Sequence, residues 1–232
     1  MIMRSFFLTA SFFLFTTNLF AQSKEVITVS GKESPSLILS MNGLYRYPQF
    51  TNGKVFFKDG TAAAGKLNYN LLLQEIMFLD PKGDTLAVDN KQTIKYVSIG
   101  KDSLYYFNGF VEILPGKYPK LAIKNFIKLA DRQKIGAYNI PSSTVDMKSY
   151  KAYQTARPND KIVIDENTVF IKGVELFVVD SGLNFFPANE KGLARIYSVS
   201  PTSIKKILKD EGLNIEKEED LRRLMAILDS SN

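Results

Sequence analysis

The stretch Lys54-Val55-Phe56-Phe57-Lys58-Asp59-Gly60, followed by Lys66-Leu67-Asn68-Tyr69-Asn70, reads as two strands joined by an Asp-Gly turn. Gly accepts the positive φ that a tight hairpin demands, and Val, Phe and Tyr suit a pleated surface. Working outward, the same grammar repeats. Glu75-Ile76-Met77-Phe78-Leu79 runs into Asp80-Pro81-Lys82-Gly83-Asp84, where Pro presets one turn dihedral and Gly supplies another. Thr85–Val88, Ile94–Ile99 and Ser103–Phe107 follow, punctuated by Asp89-Asn90, Gly100 and Asn108-Gly109. Upstream, Val26–Val29 and Leu37–Leu39 are further short apolar runs; downstream, Leu121, Ile123, Ile127 and Leu129 alternate with Lys124 and Lys128. Strands at this spacing, with a turn signal between each pair, predict an antiparallel meander.

The rhythm lapses over 136–160, where Pro141-Ser142-Ser143 and Arg157-Pro158-Asn159 bracket a polar stretch that reads as a loop or linker. Lys161–Ile164 and Thr168–Ile171 then flank Asp165-Glu166-Asn167 as an expected hairpin, and Glu175–Val179 is expected as a separate strand. At the C-terminus the apolar period changes to that of a helix. Ser200-Pro201 is an N-cap followed by Pro at the first helical position, and Gly212 sits where a left-handed C-terminal residue belongs. Leu221, Leu224, Met225 and Leu228 line one face of a second helix, whose acidic start (Glu218, Glu219, Asp220) complements the helix dipole. A shorter helix is expected near Asn189 to Ile196.

The fold class expected is therefore α+β, a predominantly antiparallel β meander with a C-terminal helical pair. Its parts are an export segment (1–21), an antiparallel β region (22–135), a loop or linker (136–160), and a β-hairpin plus helices packed on the β region (161–232).

The export segment is read from Met1-Ile2-Met3-Arg4, an uncharged run from Ser5 to Phe20 with Phe6, Phe7, Leu8 and Phe12–Phe15 at its centre, and Ala21 before a polar stretch. One positive charge, a short apolar core and a small residue form the three-part secretory layout, and the core is shorter than the ~20 apolar residues that span a bilayer. Export to the periplasm or beyond is expected, without a transmembrane segment after cleavage. The 232-residue chain contains no Cys, so neither a lipid thioether nor a disulfide is expected.

It also contains no His and no Trp. Ser-His and Cys-His catalysis and imidazole- or thiolate-loving metals are thereby removed, and any catalysis would rest on carboxylates, Lys, Tyr or Ser. The 30 basic and 24 acidic residues, a net charge of +6, are interspersed without a basic cluster, which argues against a nucleic-acid partner.

Gly53–Gly60, then Leu67-Asn68-Tyr69-Asn70-Leu71-Leu72-Leu73 and Lys82-Gly83-Asp84-Thr85, resemble a group of uncharacterised exported proteins of Gram-negative bacteria. Asn184-Phe185-Phe186-Pro187-Ala188 through Ile204-Lys205-Lys206 to Glu218-Glu219-Asp220-Leu221 is similar to the helical end of such proteins. The resemblance implies residence in the cell envelope and carries no activity.

Several residue groups invite chemistry. Asp80, Asp84 and Asp89 have the oxygen chemistry for calcium but lack its loop spacing. Asp165 with Glu166, or Glu75 with Asp80, supplies carboxylates for a glycosidase only if they face one another across a cleft. Ser203 and Lys206 approximate a Ser-x-x-Lys arrangement at a helix start. None of these is taken as catalytic, and neither a metal nor a cofactor is expected. The remaining enrichment is aromatic: Tyr45, Tyr47, Phe50, Tyr69, Tyr105, Tyr106 and Tyr118. Tyr offers a flat apolar ring with a polar tip, and Tyr45, Tyr47, Asn68, Tyr69 and Asn70 are the binding residues expected. The function expected is a non-catalytic envelope module that binds another envelope protein or a surface polymer; the alternative is a carboxylate-based hydrolase of envelope glycans or peptides.

Overall fold

The computed structural model describes residues 25–29, 43–135, 141–143 and 167–231. The export segment, the Leu37–Leu39 run, most of the 136–160 stretch and residues 161–166 lie outside them. The strands are β1 (Glu25–Val29), β2 (Thr51–Phe57), β3 (Ala62–Asn70), β4 (Glu75–Leu79), β5 (Thr85–Ala87), β6 (Ile94–Ile99), β7 (Asp102–Tyr106), β8 (Phe110–Ile113), β9 (Lys120–Ile135), β10 (Pro141–Ser143), β11 (Asn167–Val179) and β12 (Phe185–Pro187). Three helices follow: α1 (Glu190–Tyr197), α2 (Pro201–Asp210) and α3 (Glu218–Ser231). The described residues thus form an α+β fold built on one antiparallel sheet, ordered β1-β11-β9-β8-β7-β6-β2-β3-β4-β5, with β10 beside β9 and β12 beside β11. Among the described residues no helix is long and apolar enough to cross a membrane.

The hairpin turns work as their chemistry requires. Asp59 accepts at one carboxylate oxygen from the Thr61 amide (2.9 Å) and hydroxyl (2.7 Å), and Gly60 has φ +90°. Asp80 similarly accepts from the amides of Lys82 and Asp84, with Gly83 at φ +87°. Its carboxylate is thus turned onto its own backbone instead of facing Asp84 or Asp89 across a cation site.

After β5 the chain crosses back through a short 3₁₀ turn (Lys91–Thr93), and β6 pairs with β2 instead of β5. The sheet then coils. β8 pairs with β9 only at Glu112↔Ile123 and Ile113↔Ala122, leaving the next part of that edge of β9 open. The β3–β4 turn enters there: Ile127 N–H donates to the Leu71 carbonyl (2.8 Å), and the Gln74 amide donates to the Asn125 carbonyl (3.2 Å). Val55, Tyr69, Ile76, Val97, Leu104, Phe110, Ile127 and Phe170 are among the residues of the core so enclosed.

β9 and β11 are long enough to serve a second core on the same face. Leu121 and Ile127 share a face because they are six residues apart, about 20 Å along a strand. Over Leu121 and Val178 lie Leu193, Ile204, Leu221, Leu224 and Leu228 of the three helices. Asn189 caps α1 by accepting from Gly192 N–H, and Ser200 caps α2 by accepting from Ser203 N–H. Gly212 takes φ +62° just beyond α2, as its position after the helix requires. On the opposite face a third, small core joins Val111, Ala122, Phe177 and Val179, with Ile113 and Phe185 against it.

One expectation falls partly outside the described residues and another is corrected. Lys161–Ile164, the first arm of the expected hairpin, lies outside them; within them both edges of residues 168–172 are taken, by β1 on one side and β9 on the other. A strand has only two hydrogen-bonding edges. Glu175–Val179 is not a separate strand; Gly173 interrupts the apolar pattern without interrupting the ladder, where it sits opposite the Phe126 ring. β8, buried along most of its four residues, went unread between its Gly109 turn and Pro115. The strip Pro141–Ser143, placed in the loop or linker by its composition, pairs with β9.

Candidate functional site

Tyr45, Tyr47, Asn68, Tyr69 and Asn70 are brought together, and their polar atoms meet the chain itself. Asn68 is 1% exposed; its side-chain carbonyl accepts from the amides of Tyr47 (3.1 Å) and Tyr69 (2.8 Å), and its NH₂ donates to the Tyr47 carbonyl (2.9 Å). Asn70 accepts from the amides of Leu72 and Leu73, closing the turn, and bridges to Tyr45. The Tyr69 ring is 1% exposed; its hydroxyl donates to Gln74 Oε1 (2.8 Å) and accepts from Phe110 N–H (3.2 Å). Tyr47 donates to Asp102 (3.0 Å), and Arg46 pairs with Glu112 at 3.0 Å. Burial, then the Asp102 charge, holds the Tyr47 hydroxyl well above the usual tyrosine range. These residues lash segment 43–50 to the coiled sheet. Three of the five are not presented to solvent, and the other two are half-buried.

The wider aromatic set does not form one face either. Tyr69 lies in the first core and Tyr106 packs against it, whereas Tyr105 stands on the opposite side of the sheet beside the third core. There a ladder of rings crosses the strands. Phe56 stacks on Tyr96 (4.4 Å), Tyr96 on Tyr105 (5.7 Å), Tyr105 tilts against Phe185 (6.4 Å), Phe185 stacks on Phe107 (5.2 Å), and Phe107 meets Phe177 edge-on (5.6 Å). Each ring of the ladder thus has another ring as a neighbour. Such cross-strand contacts fix register.

The ladder ends at a cleft of about 570 Å³ whose lining includes Phe107, Asp180, Leu183, Asn184, Phe186 and Arg195. The β11–β12 turn builds one wall. Asp180 accepts from Gly182 N–H, Asn184 N–H and the Asn184 NH₂, bonds that hold its carboxyl below the usual carboxylate range. Leu183, forced to φ +61° by that turn, projects outward at 38% exposure, and Phe107 opposite is 37% exposed. The other wall is α1, where the Arg195 guanidinium lies 5.0 Å over the Phe186 ring. Among the described residues the Arg195 side chain has no ion pair or hydrogen bond, whereas Arg46, Arg222 and Arg223 each face a carboxylate. The guanidinium thus has an aromatic neighbour and two exposed apolar side chains beside it.

The sequence reading missed Arg195, Leu183 and Phe107. The available signal was Asp180-Ser181-Gly182-Leu183-Asn184, a tight turn with a large apolar residue at its tip. The carboxylate pair Glu75 and Asp80 sits at opposite ends of β4, about 17 Å apart at strand spacing; Glu75 pairs with Lys91. Asp165 and Glu166 lie outside the described residues. Ser203 is bonded to Ser200 at the α2 cap. Comparison with protein-family models, curated proteins and solved structures finds no match to this chain.

Proposed function

We propose that this chain is an exported protein of the cell envelope that acts as a non-catalytic binding module through the Phe107–Leu183–Arg195 cleft. The observation that carries this reading is the cleft's composition, two exposed large apolar side chains beside an Arg that has no ion pair among the described residues. The secretory layout of residues 1–21 and the resemblance to exported Gram-negative proteins support the envelope placement. The absence of Cys after Ala21 supports release without a lipid tether. The partner is another envelope protein or a surface polymer.

The test is capture from envelope extract by the immobilised mature protein, read by mass spectrometry, alongside glycan-array screening. The expected result is a specific partner whose capture falls with Phe107→Ser or Leu183→Ser. Recovery of no partner, together with turnover of a glycoside or peptide substrate, overturns the reading in favour of a carboxylate hydrolase.

A further inference from the structure

We infer that the cleft reads a free carboxylate carried beside an apolar group, and that its occupant is the C-terminus of a polypeptide ending in an apolar residue; this rests on the cleft being the binding surface. Three observations converge on that chemistry. The Arg195 guanidinium lies 5.0 Å over the Phe186 ring, and among the described residues its N–H donors meet no acceptor, so a pair of them can serve the two oxygens of a planar anion. The lining's one carboxylate, Asp180, is committed to the amides of its own turn. Phe107 and Leu183 supply an apolar wall. A volume of about 570 Å³ lies in the range of pockets for small ligands and chain ends.

A C-terminal residue bears its carboxylate and its side chain on the same carbon, so one residue can meet the cation and the apolar wall together. A uronic sugar would also present a carboxylate. Its ring hydroxyls, however, would face Asp180 and Asn184, which are already bonded to each other. The apolar wall therefore favours the peptide.

The experiment titrates isotope-labelled mature protein with acetyl-Gly-Gly-Leu as the free acid, with its C-terminal amide, and with trigalacturonate, following backbone NMR shifts. The free acid is expected to shift residues 107, 183–186 and 195–196. The amide should bind about tenfold or more weakly, the loss expected for charge-assisted hydrogen bonds. Arg195→Met, at an exposed position, should erase the difference between acid and amide, and Arg195→Lys should restore part of it. Equal binding of acid and amide, or tighter binding of trigalacturonate, overturns the inference. If no peptide shifts the cleft while partner capture still depends on Phe107, the inference falls and the binding-module reading stands. If capture is also independent of Phe107 and Leu183, both fall.

Discussion

The Tyr69 hydroxyl donates to Gln74 Oε1 at 2.8 Å and so ties the end of β3 to the turn that closes the coiled sheet. Gln74 holds φ +57°, a left-handed conformation unusual for a residue with a side chain. Its amide donates to the carbonyls of Leu71 (2.6 Å) and Asn125 (3.2 Å). One hydroxyl thus orients the side chain that stitches the β3–β4 hairpin to β9, and it also caps the Phe110 amide.

Tyr69→Phe keeps the ring's apolar contacts and strands two partners, Gln74 Oε1 and Phe110 N–H. The expected destabilisation is about 1–3 kcal/mol, the penalty of leaving buried polar groups unpaired. Chemical denaturation should show a lower midpoint at unchanged slope. An unchanged midpoint would mean that water satisfies both groups.

Asn68→Ala removes two hydrogen bonds between β3 and segment 43–50 and a third to the Tyr69 amide within β3. A loss of about 2–3 kcal/mol is expected, since each buried bond contributes about 1 kcal/mol and the freed backbone groups are left in the interior. Partner capture by the fraction that stays folded should be unaltered. Lost capture at unchanged stability would return Asn68 to the binding surface.

What could be read from the sequence was local. The Asp59-Gly60 and Asp80–Gly83 turns, the Asn189 and Ser200 caps and the Leu221–Leu228 stripe are each fixed by residues within a few positions of one another. Closure of the sheet was not legible, because Gln74 reaches Asn125 across 51 positions and no periodicity encodes that contact. β11 was cut in two because Gly173 breaks the apolar pattern, although a glycine is what the Phe126 ring beside it admits. The grouping of Tyr45, Tyr47, Asn68, Tyr69 and Asn70 was visible, but not its direction. An Asn that can both donate and accept serves a buried backbone segment as well as it serves a ligand. Arg195 stands out because, among the described residues, its guanidinium meets the Phe186 ring and no carboxylate, a property of the tertiary arrangement alone.

Stability should fall on the alkaline side. Burial raises the Tyr47, Tyr69 and Tyr197 hydroxyls above the ordinary tyrosine value, with the charges of Asp102 and Asp229 adding to it at Tyr47 and Tyr197. A raised folded pKa means that the stabilisation is complete below the unfolded pKa of about 10 and is lost as pH rises through the folded values. Denaturation midpoints should therefore decline only above about pH 10. With no Trp in the chain, tyrosinate absorbance should rise in two stages, the second coinciding with unfolding. Tyr47→Phe should flatten the decline; an unchanged slope would assign the loss elsewhere.

Gly192→Ala tests the seam between the sheet and the helices. Replacing a helical Gly by Ala ordinarily stabilises by about 0.5–1 kcal/mol. Here the added Cβ would stand 2.0 Å from the Pro187 carbonyl oxygen, and that oxygen belongs to the backbone of β12, which cannot rotate away. α1 must shift off β12, opening the core that holds Leu193, Ala194 and Tyr197. A destabilisation of about 1–3 kcal/mol, the usual range for overpacking, is expected in place of a gain. Gly65→Ala, where an added Cβ would meet the Leu67 side chain at 3.9 Å, serves as the control and should be neutral or stabilising. Because Arg195 rides on α1 and Phe186 on β12, the same shift should pull the guanidinium from its ring. Gly192→Ala should therefore weaken binding of the free-acid peptide at temperatures where the variant is still folded, and Gly65→Ala should leave it unchanged. Full binding by a destabilised Gly192→Ala protein would show that the strain relaxes without moving the wall of the cleft.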